Sequence, residues 1–181
     1  ISVKVIGTQE IDYSGIESLL VSDADEGHKK LEELLTEGIA DAGVTMHYPF
    51  PIGVSTVGRV LTPAKGKHMY LATTTGTSAL TRVEALVLNA LYGIITAKAC
   101  GIAEPTIGLL NIDGARQAEI TLKKLAENGY PIHFAKSNRS DGGAIMRGND
   151  VLAGTCDVMV MDSLTGNILQ KIFSSYSTGG N

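Results

Sequence analysis

Several absences narrow what this chain of 181 residues can do. It has no Gly-x-Gly-x-x-Gly after a strand-like run and no P-loop sequence, so dinucleotide and nucleoside triphosphate chemistry both lack their usual phosphate cradle. His28, His47, His68 and His133 are scattered, with no His-Glu-x-x-His and no paired-cysteine spacing, so no metal site is expected and no cofactor is implied. Two cysteines, Cys100 and Cys156, cannot form a disulfide framework, and no charged segment leads into a long apolar run of the secretory kind. Both points favour a reducing cytoplasm, and Asn138-Arg-Ser140, although it matches a glycosylation sequon, reads as coincidence. Basic residues are scattered and the net charge is −4, which leaves no broad basic face for nucleic acid. Any anion must therefore be bound locally. The most apolar helical stretch, residues 83–99, carries Glu84, Asn89 and Lys98 and reads as a buried helix rather than a membrane span.

What is present points to one compact core: a chain of this length with 44% hydrophobic residues can bury about 70% of its unfolded surface. Short apolar runs alternate with helical patterns, the order of an α/β protein with a mainly parallel sheet flanked by helices. Strands are predicted at residues 2–6, 43–47, 68–73, 106–111, 131–135 and 157–162. Helices are predicted at 26–40, 54–61, 82–99, 116–128, 147–153 and 167–176. Thr81 and Glu84 have capping-box spacing before the 82–99 helix, whose wide apolar face suits packing on the sheet or against a second subunit. Gly129 and Pro131 stop the following helix. The stiff Pro49-Phe-Pro51 segment marks a possible lobe boundary near residues 49–51.

In a parallel sheet, ligands gather beyond the carboxyl ends of the strands. The run Val158-Met-Val-Met-Asp162-Ser-Leu-Thr165-Gly-Asn167 reads as a buried strand, a polar turn and a helix start. Thr165, Gly166 and Asn167 would then offer unpaired N–H groups and a helix dipole to phosphate, with Asp162 the candidate acid. Ordinary capping by Ser163 or Thr165 accounts for the same residues. A second segment, Gly53-Val-Ser55-Thr56-Val-Gly-Arg59, supplies two hydroxyls, a helix start and a permanent positive charge for phosphate, or simply a capped helix with a surface arginine. A third, Thr73-Thr-Thr75-Gly76-Thr77-Ser78, concentrates hydroxyls that can bind phosphate or an acyl carbonyl, or form a set of Ser/Thr turns. His47, shortly before the Gly53–Arg59 segment, is either a base or a hydrogen-bonded strand end, and Asp113 reads as a turn residue. Both cysteines read as small buried hydrophobes rather than activated nucleophiles.

The runs Gly101-Ile-Ala-Glu-Pro105-Thr-Ile-Gly-Leu-Leu-Asn111 and 150–167 resemble the acyl-ACP:phosphate acyltransferases and, more distantly, the phosphate acetyltransferases. With residues 48–59 and 162–180 added, the chain is similar to the alpha subunit of component C of glycine/sarcosine/betaine reductase from about Gly43 onward. The resemblance implies an isopropylmalate-dehydrogenase-like fold of the phosphate acyltransferase type. It also implies acetyl transfer from an enzyme or carrier thioester to inorganic phosphate, giving acetyl phosphate, without metal or nicotinamide. Ser55, Thr56 and Arg59 would hold the phosphate, with Thr75, Gly76, Thr77, Ser78, Thr165 and Gly166 completing the cradle and Asp162 and Asn167 catalytic on the opposite wall. Expected partners are phosphate or acyl phosphate and an acyl-thioester carrier or partner subunit, in a homo- or hetero-oligomer. Members of these families are longer and two-lobed, and in the phosphate acetyltransferases a Ser-Arg pair and an acidic residue lie in a part that has no counterpart here. Residues 1–181 are therefore expected to be one α/β unit of a larger acyltransferase, and the start at Ile1 points to a processed chain or an excised piece. Two alternatives stay open: a non-catalytic phosphate-binding or assembly subunit, and a fatty acyl-ACP:phosphate acyltransferase.

Overall fold

In the first 49 residues a parallel strand pair, β1 (Lys4–Gly7) and β2 (Glu17–Leu20), leads into helix α1 (Ala24–Thr36). Asp23 caps that helix by accepting the Glu26 N–H at 2.8 Å, while the Glu26 carboxylate returns to the Ser22 N–H at 2.6 Å. The strand expected at residues 43–47 does not form: no neighbouring strand pairs with it, and Val44 and Met46 are exposed, so their alternation buries no face. This segment forms a unit of its own, Ile1–Pro49; a second begins at Phe50. The computed structural model describes residues 1–179.

The second unit carries the main sheet. Its chain order is β3 (Ser55–Leu61), β4 (His68–Gly76), α2 (Arg82–Ala99), β5 (Thr106–Leu110), α3 (Ala115–Glu127), β6 (His133–Phe134), β7 (Ile145–Met146), α4 (Gly148–Ala153), β8 (Val158–Val160) and α5 (Ser163–Thr178). Strand order is β3-β4-β8-β5-β6, with β7 also paired to β5. Every pair is parallel except β3–β4. The expected α/β architecture is present, a mainly parallel sheet flanked by helices.

One predicted helix is a strand. Residues 54–61 place Val54, Val57 and Leu61 at helix-like spacing, but Thr56, Val57 and Val60 are β-branched, and pairing with β4 decides the outcome. Along the central strands, successive side chains enter opposite layers. Tyr70, Ala72, Ile107, Leu109, Val158 and Val160 pack under α2 and α3, whereas Met69, Leu71, Met159 and Met161 pack with Val60 and Phe173 of α5. Strands covered on both faces are why these runs are continuously apolar rather than alternating. On α2, Gly93 faces β8, and a side chain there would overlap Val158. Thr81 caps α2 through the Glu84 N–H at 3.3 Å. Cys156 is buried as expected; Cys100, at the exposed end of α2, is not, which corrects its reading as a core residue. No helix among the described residues is long and apolar enough to cross a membrane.

Candidate functional site

The end of β4 and the start of β3 meet because the hairpin is antiparallel: Ser55 pairs with Gly76 and Thr56 with Thr75. Thr73–Gly76 are thus strand residues, not a loop, and Thr73, Thr74 and Ser78 are buried. Their hydroxyls are used. Thr73 donates to the Thr56 carbonyl, and the Thr56 and Thr74 hydroxyls lie 2.8 Å apart. Ser55 and Ser78 hydroxyls are also 2.8 Å apart, and Ser78 donates to the Asn89 side-chain oxygen. Asn89, 2% exposed, donates in turn to the Met161 carbonyl at 2.9 Å.

Proton bookkeeping within this chain is directional. Ser78 has one hydrogen and gives it to Asn89, so Ser55 must donate to Ser78. The Ser55 hydrogen is therefore turned inward, while its oxygen can still accept. Thr74 can donate either to the Thr56 hydroxyl or, at 3.4 Å, to the Thr56 carbonyl. When it donates to the hydroxyl, the Thr56 hydrogen is released for a ligand. The side chains of Thr75, half-buried, and Thr77, exposed, have no protein partner among the described residues. Gly76 adopts φ 89°, and a side chain on it would run into Val54 and Ser55.

The second wall is the start of α5. This helix begins at Ser163 rather than at 167, and its cap is Asp162, not Ser163 or Thr165. One Asp162 oxygen accepts the Thr165 N–H at 2.9 Å and the other the Thr165 hydroxyl at 2.8 Å. The Gly166 N–H is taken by the Asp162 carbonyl at 3.0 Å. Thr165 and Gly166 amides are thus already bonded, and the N-terminal N–H groups left over belong to Ser163 and Leu164. Gly166 serves contact instead: a methyl there would overlap the Thr73 carbonyl oxygen and lie 2.9 Å from its carbon. That close approach lets Asn167 donate its amide to the Thr74 carbonyl at 3.1 Å.

The structure brings Ser55, Thr56, Thr75, Ser78 and Asn167 into one bonded neighbourhood, joined by β3, β4, α2 and α5. Arg59 does not join it. It pairs with Tyr70 near the opposite end of β4, four residues from Ser55 or about 13 Å along the strand, and its Nε donates to His68 Nδ1 at 3.2 Å. With no helix at 54–61, the reasoning that put Ser55, Thr56 and Arg59 at one helix start fails. His47 belongs to the first unit.

Two polar residues were not singled out as functional in the sequence. Asn89 carried a signal, a lone amide on an apolar helix. Asp150 carried none: it is 2% exposed and accepts from Ser137 (2.7 Å), the N–H groups of Asn138 (2.8 Å) and Arg147 (2.9 Å), and Thr155 (3.2 Å). Burial pushes its carboxyl up, but these hydrogen bonds outweigh burial and hold it below the usual carboxylate range. It pins the segment between β6 and α4. Burial also pushes the Cys156 thiol up to about 12, which removes it as a nucleophile.

Comparison with known proteins adds three findings. A family described as "Fatty acid synthesis protein" matches residues 3–147. The chain is 65% identical over 167 residues to the glycine/sarcosine/betaine reductase complex component C subunit alpha of Peptoclostridium acidaminophilum, covering 92% of this chain and 43% of that one. It is 35% identical over 88 residues to a phosphate acyltransferase of Rhodospirillum centenum (48% and 24% covered) and 35% identical over 96 residues to one of Fervidobacterium nodosum (53% and 28%). The chain spans less than half the length of these curated relatives.

Proposed function

Since the chain belongs to the fatty acid synthesis protein family, we propose that it forms part of a phosphate acyltransferase-type enzyme working in a complex of the glycine/sarcosine/betaine reductase kind. In the proposed reaction an oxygen of inorganic phosphate attacks the carbonyl carbon of an acetyl thioester; the carbon–sulfur bond breaks, thiolate leaves and acetyl phosphate forms. The observation that carries this reading is the interlocked hydroxyl cluster where β3, β4 and α5 meet. Fixed neutral donors suit phosphate because they hold it without neutralising the charge of its attacking oxygen, and positioning then supplies much of the rate.

The hydroxyls of Thr56, Thr75 and Thr77 and the N–H groups of Ser163 and Leu164 are the proposed phosphate donors. The Ser55 oxygen accepts from a protonated phosphate oxygen. Asn167 and Asp162 act by fixing the start of α5 against β4, with the second amide hydrogen of Asn167 available to the developing oxyanion. A second reading, a phosphate-binding assembly subunit without chemistry of its own, is favoured by one observation: both Asp162 oxygens are engaged by Thr165, which leaves no free acid.

Two measurements separate these readings. Phosphate at a hundred times its dissociation constant stabilises a binding-competent fold by about 2.7 kcal/mol, and the rise in melting temperature should shrink in Thr75→Val. Phosphate release from acetyl phosphate plus a thiol acceptor, assayed with the partner subunit present, should fall with Asn167→Ala. Thermal stabilisation without turnover selects the assembly reading; no stabilisation removes the phosphate site.

A further inference from the structure

The outer edge of β3 is left unused by that chemistry. Tyr70 donates its N–H to the Asp157 carbonyl at 2.8 Å, and the Ala72 carbonyl accepts from Met161 at 2.7 Å, so both residues of β4 direct their backbone groups toward β8. In an antiparallel pair, opposite residues either bond each other or both point away. Arg59 and Val57, opposite Tyr70 and Ala72, therefore direct N–H and C=O outward, and so does Leu61 two residues on. Because β3 ends the strand order, these groups have no partner strand among the described residues of the second unit.

The hairpin that forms this edge is positively charged in a chain of net charge −4: residues 55–76 hold no Asp or Glu but carry Arg59, Lys65, Lys67 and His68. Lys67 is paired with Asp157 at 3.0 Å, whereas Arg59 and Lys65 have no carboxylate partner among the described residues. With its Nδ1 accepting from Arg59, neutral His68 carries its hydrogen on Nε2, a further donor beside the guanidinium. A cavity of about 360 Å³ adjoins the strand, lined by residues including Arg59, Leu61, His68, Gln170 and Phe173. The Gln170 side-chain oxygen is buried without a hydrogen-bond donor.

We propose that the β3 edge takes an extended, acidic segment of a partner polypeptide by strand addition. The segment pairs with the N–H and C=O groups of Val57, Arg59 and Leu61 and seats one carboxylate side chain against Arg59 and His68. A second copy of this chain is the poorer occupant, since two-fold pairing centred on Arg59 sets like charges opposite each other. The same cations repel a basic strand, so the edge is selective rather than open to any chain.

The test uses a capped heptapeptide, Thr-Val-Thr-Asp-Thr-Val-Thr, and residue-resolved amide exchange by NMR. Strand addition slows the Val57, Arg59 and Leu61 amides at least tenfold and leaves Gly58 and Val60, already bonded to β4, unchanged. Lysine in place of the aspartate should weaken binding tenfold or more, and Arg59→Gln should bring the aspartate peptide down to that level. Leu61→Pro, which removes one outward N–H and no bond to β4, should weaken the peptide with the fold intact by circular dichroism. No slowing at the three amides overturns the proposal. So does equal binding of capped aspartate alone, the mark of a small-carboxylate pocket, or self-association through the edge that the peptide does not reverse.

Discussion

Gly166→Ala tests whether the candidate site depends on close approach of α5 to β4. The added methyl would overlap the Thr73 carbonyl oxygen and sit 2.9 Å from its carbon and 3.2 Å from the Thr74 Cα, all of it backbone with no side chain to swing aside. Carbon atoms reach their optimum at roughly 3.5 to 4.0 Å, so the helix start must retreat by about 1 Å. That movement opens the Asn167–Thr74 hydrogen bond, now 3.1 Å, beyond bonding distance. Overpacking of this kind costs about 1–3 kcal/mol and the lost bond about 1 kcal/mol more, against a gain of up to about 1 kcal/mol from replacing glycine inside a helix. The net loss is about 2 kcal/mol. With a urea slope of about 2 kcal/mol per molar, the unfolding midpoint should fall by about 1 M at unchanged slope, and stabilisation by phosphate should vanish with it. Gly148→Ala is the control, because nothing lies within 4 Å of a side chain there and its φ is ordinary; its midpoint should stay put or rise slightly. A Gly166→Ala midpoint within about 0.3 M of the parent, with phosphate stabilisation intact, would refute the reasoning.

Asn89→Leu keeps the volume but takes from the Ser78 hydroxyl its Asn89 acceptor and leaves the Met161 carbonyl with only the Thr73 N–H at 3.3 Å; about 1–3 kcal/mol of stability should be lost in urea unfolding, and phosphate stabilisation should weaken. The lowered pKa of Asp150 means that the unfolded chain binds protons more readily near the usual value of 3.8, so this contribution to stability is present above that pH and is lost as pH falls through the folded value. The stability gap between the parent and Asp150→Asn, measured in urea at pH 6 and pH 3, should therefore narrow at pH 3; a constant gap would refute it. In native protein a disulfide reagent at pH 8 should titrate one fast thiol, the exposed Cys100, and a second only after denaturation, since Cys156 is buried and pushed up to about 12.

The parallel part of the sheet was readable because strands buried on both faces are continuous apolar runs, as at Val158–Val160, and because Thr81 and Glu84 announce α2. The hairpin was not. Val54, Val57 and Leu61 mimic a helical stripe, and only the presence of β4 alongside decides that Ser55–Leu61 is extended. Residues 43–47 show the opposite error, since Val44 and Met46 alternate like strand residues but are exposed and pair with no strand. At the candidate site, the hydroxyl-rich segment and Asn167 stood out by composition, while the role of Asp162 was hidden by a polar sequence that reads as a turn. Asp162 and Thr165 have the same three-residue cap spacing as Thr81 and Glu84, so the cue was there. Arg59 was misplaced with its strand, because a helix and a strand carry the same residue to different distances.

The middle of the sheet is filled by β8, which comes after every other strand in chain order and slots between β4 and β5. The hairpin on one side and β5 with its neighbours on the other are both made earlier during synthesis, yet they cannot join until this three-residue segment arrives. Loop closure over most of the unit precedes any reward from pairing, so assembly should be slow for a domain of this size. Until then the growing chain carries open strand edges at its centre, the state in which it would most need a chaperone.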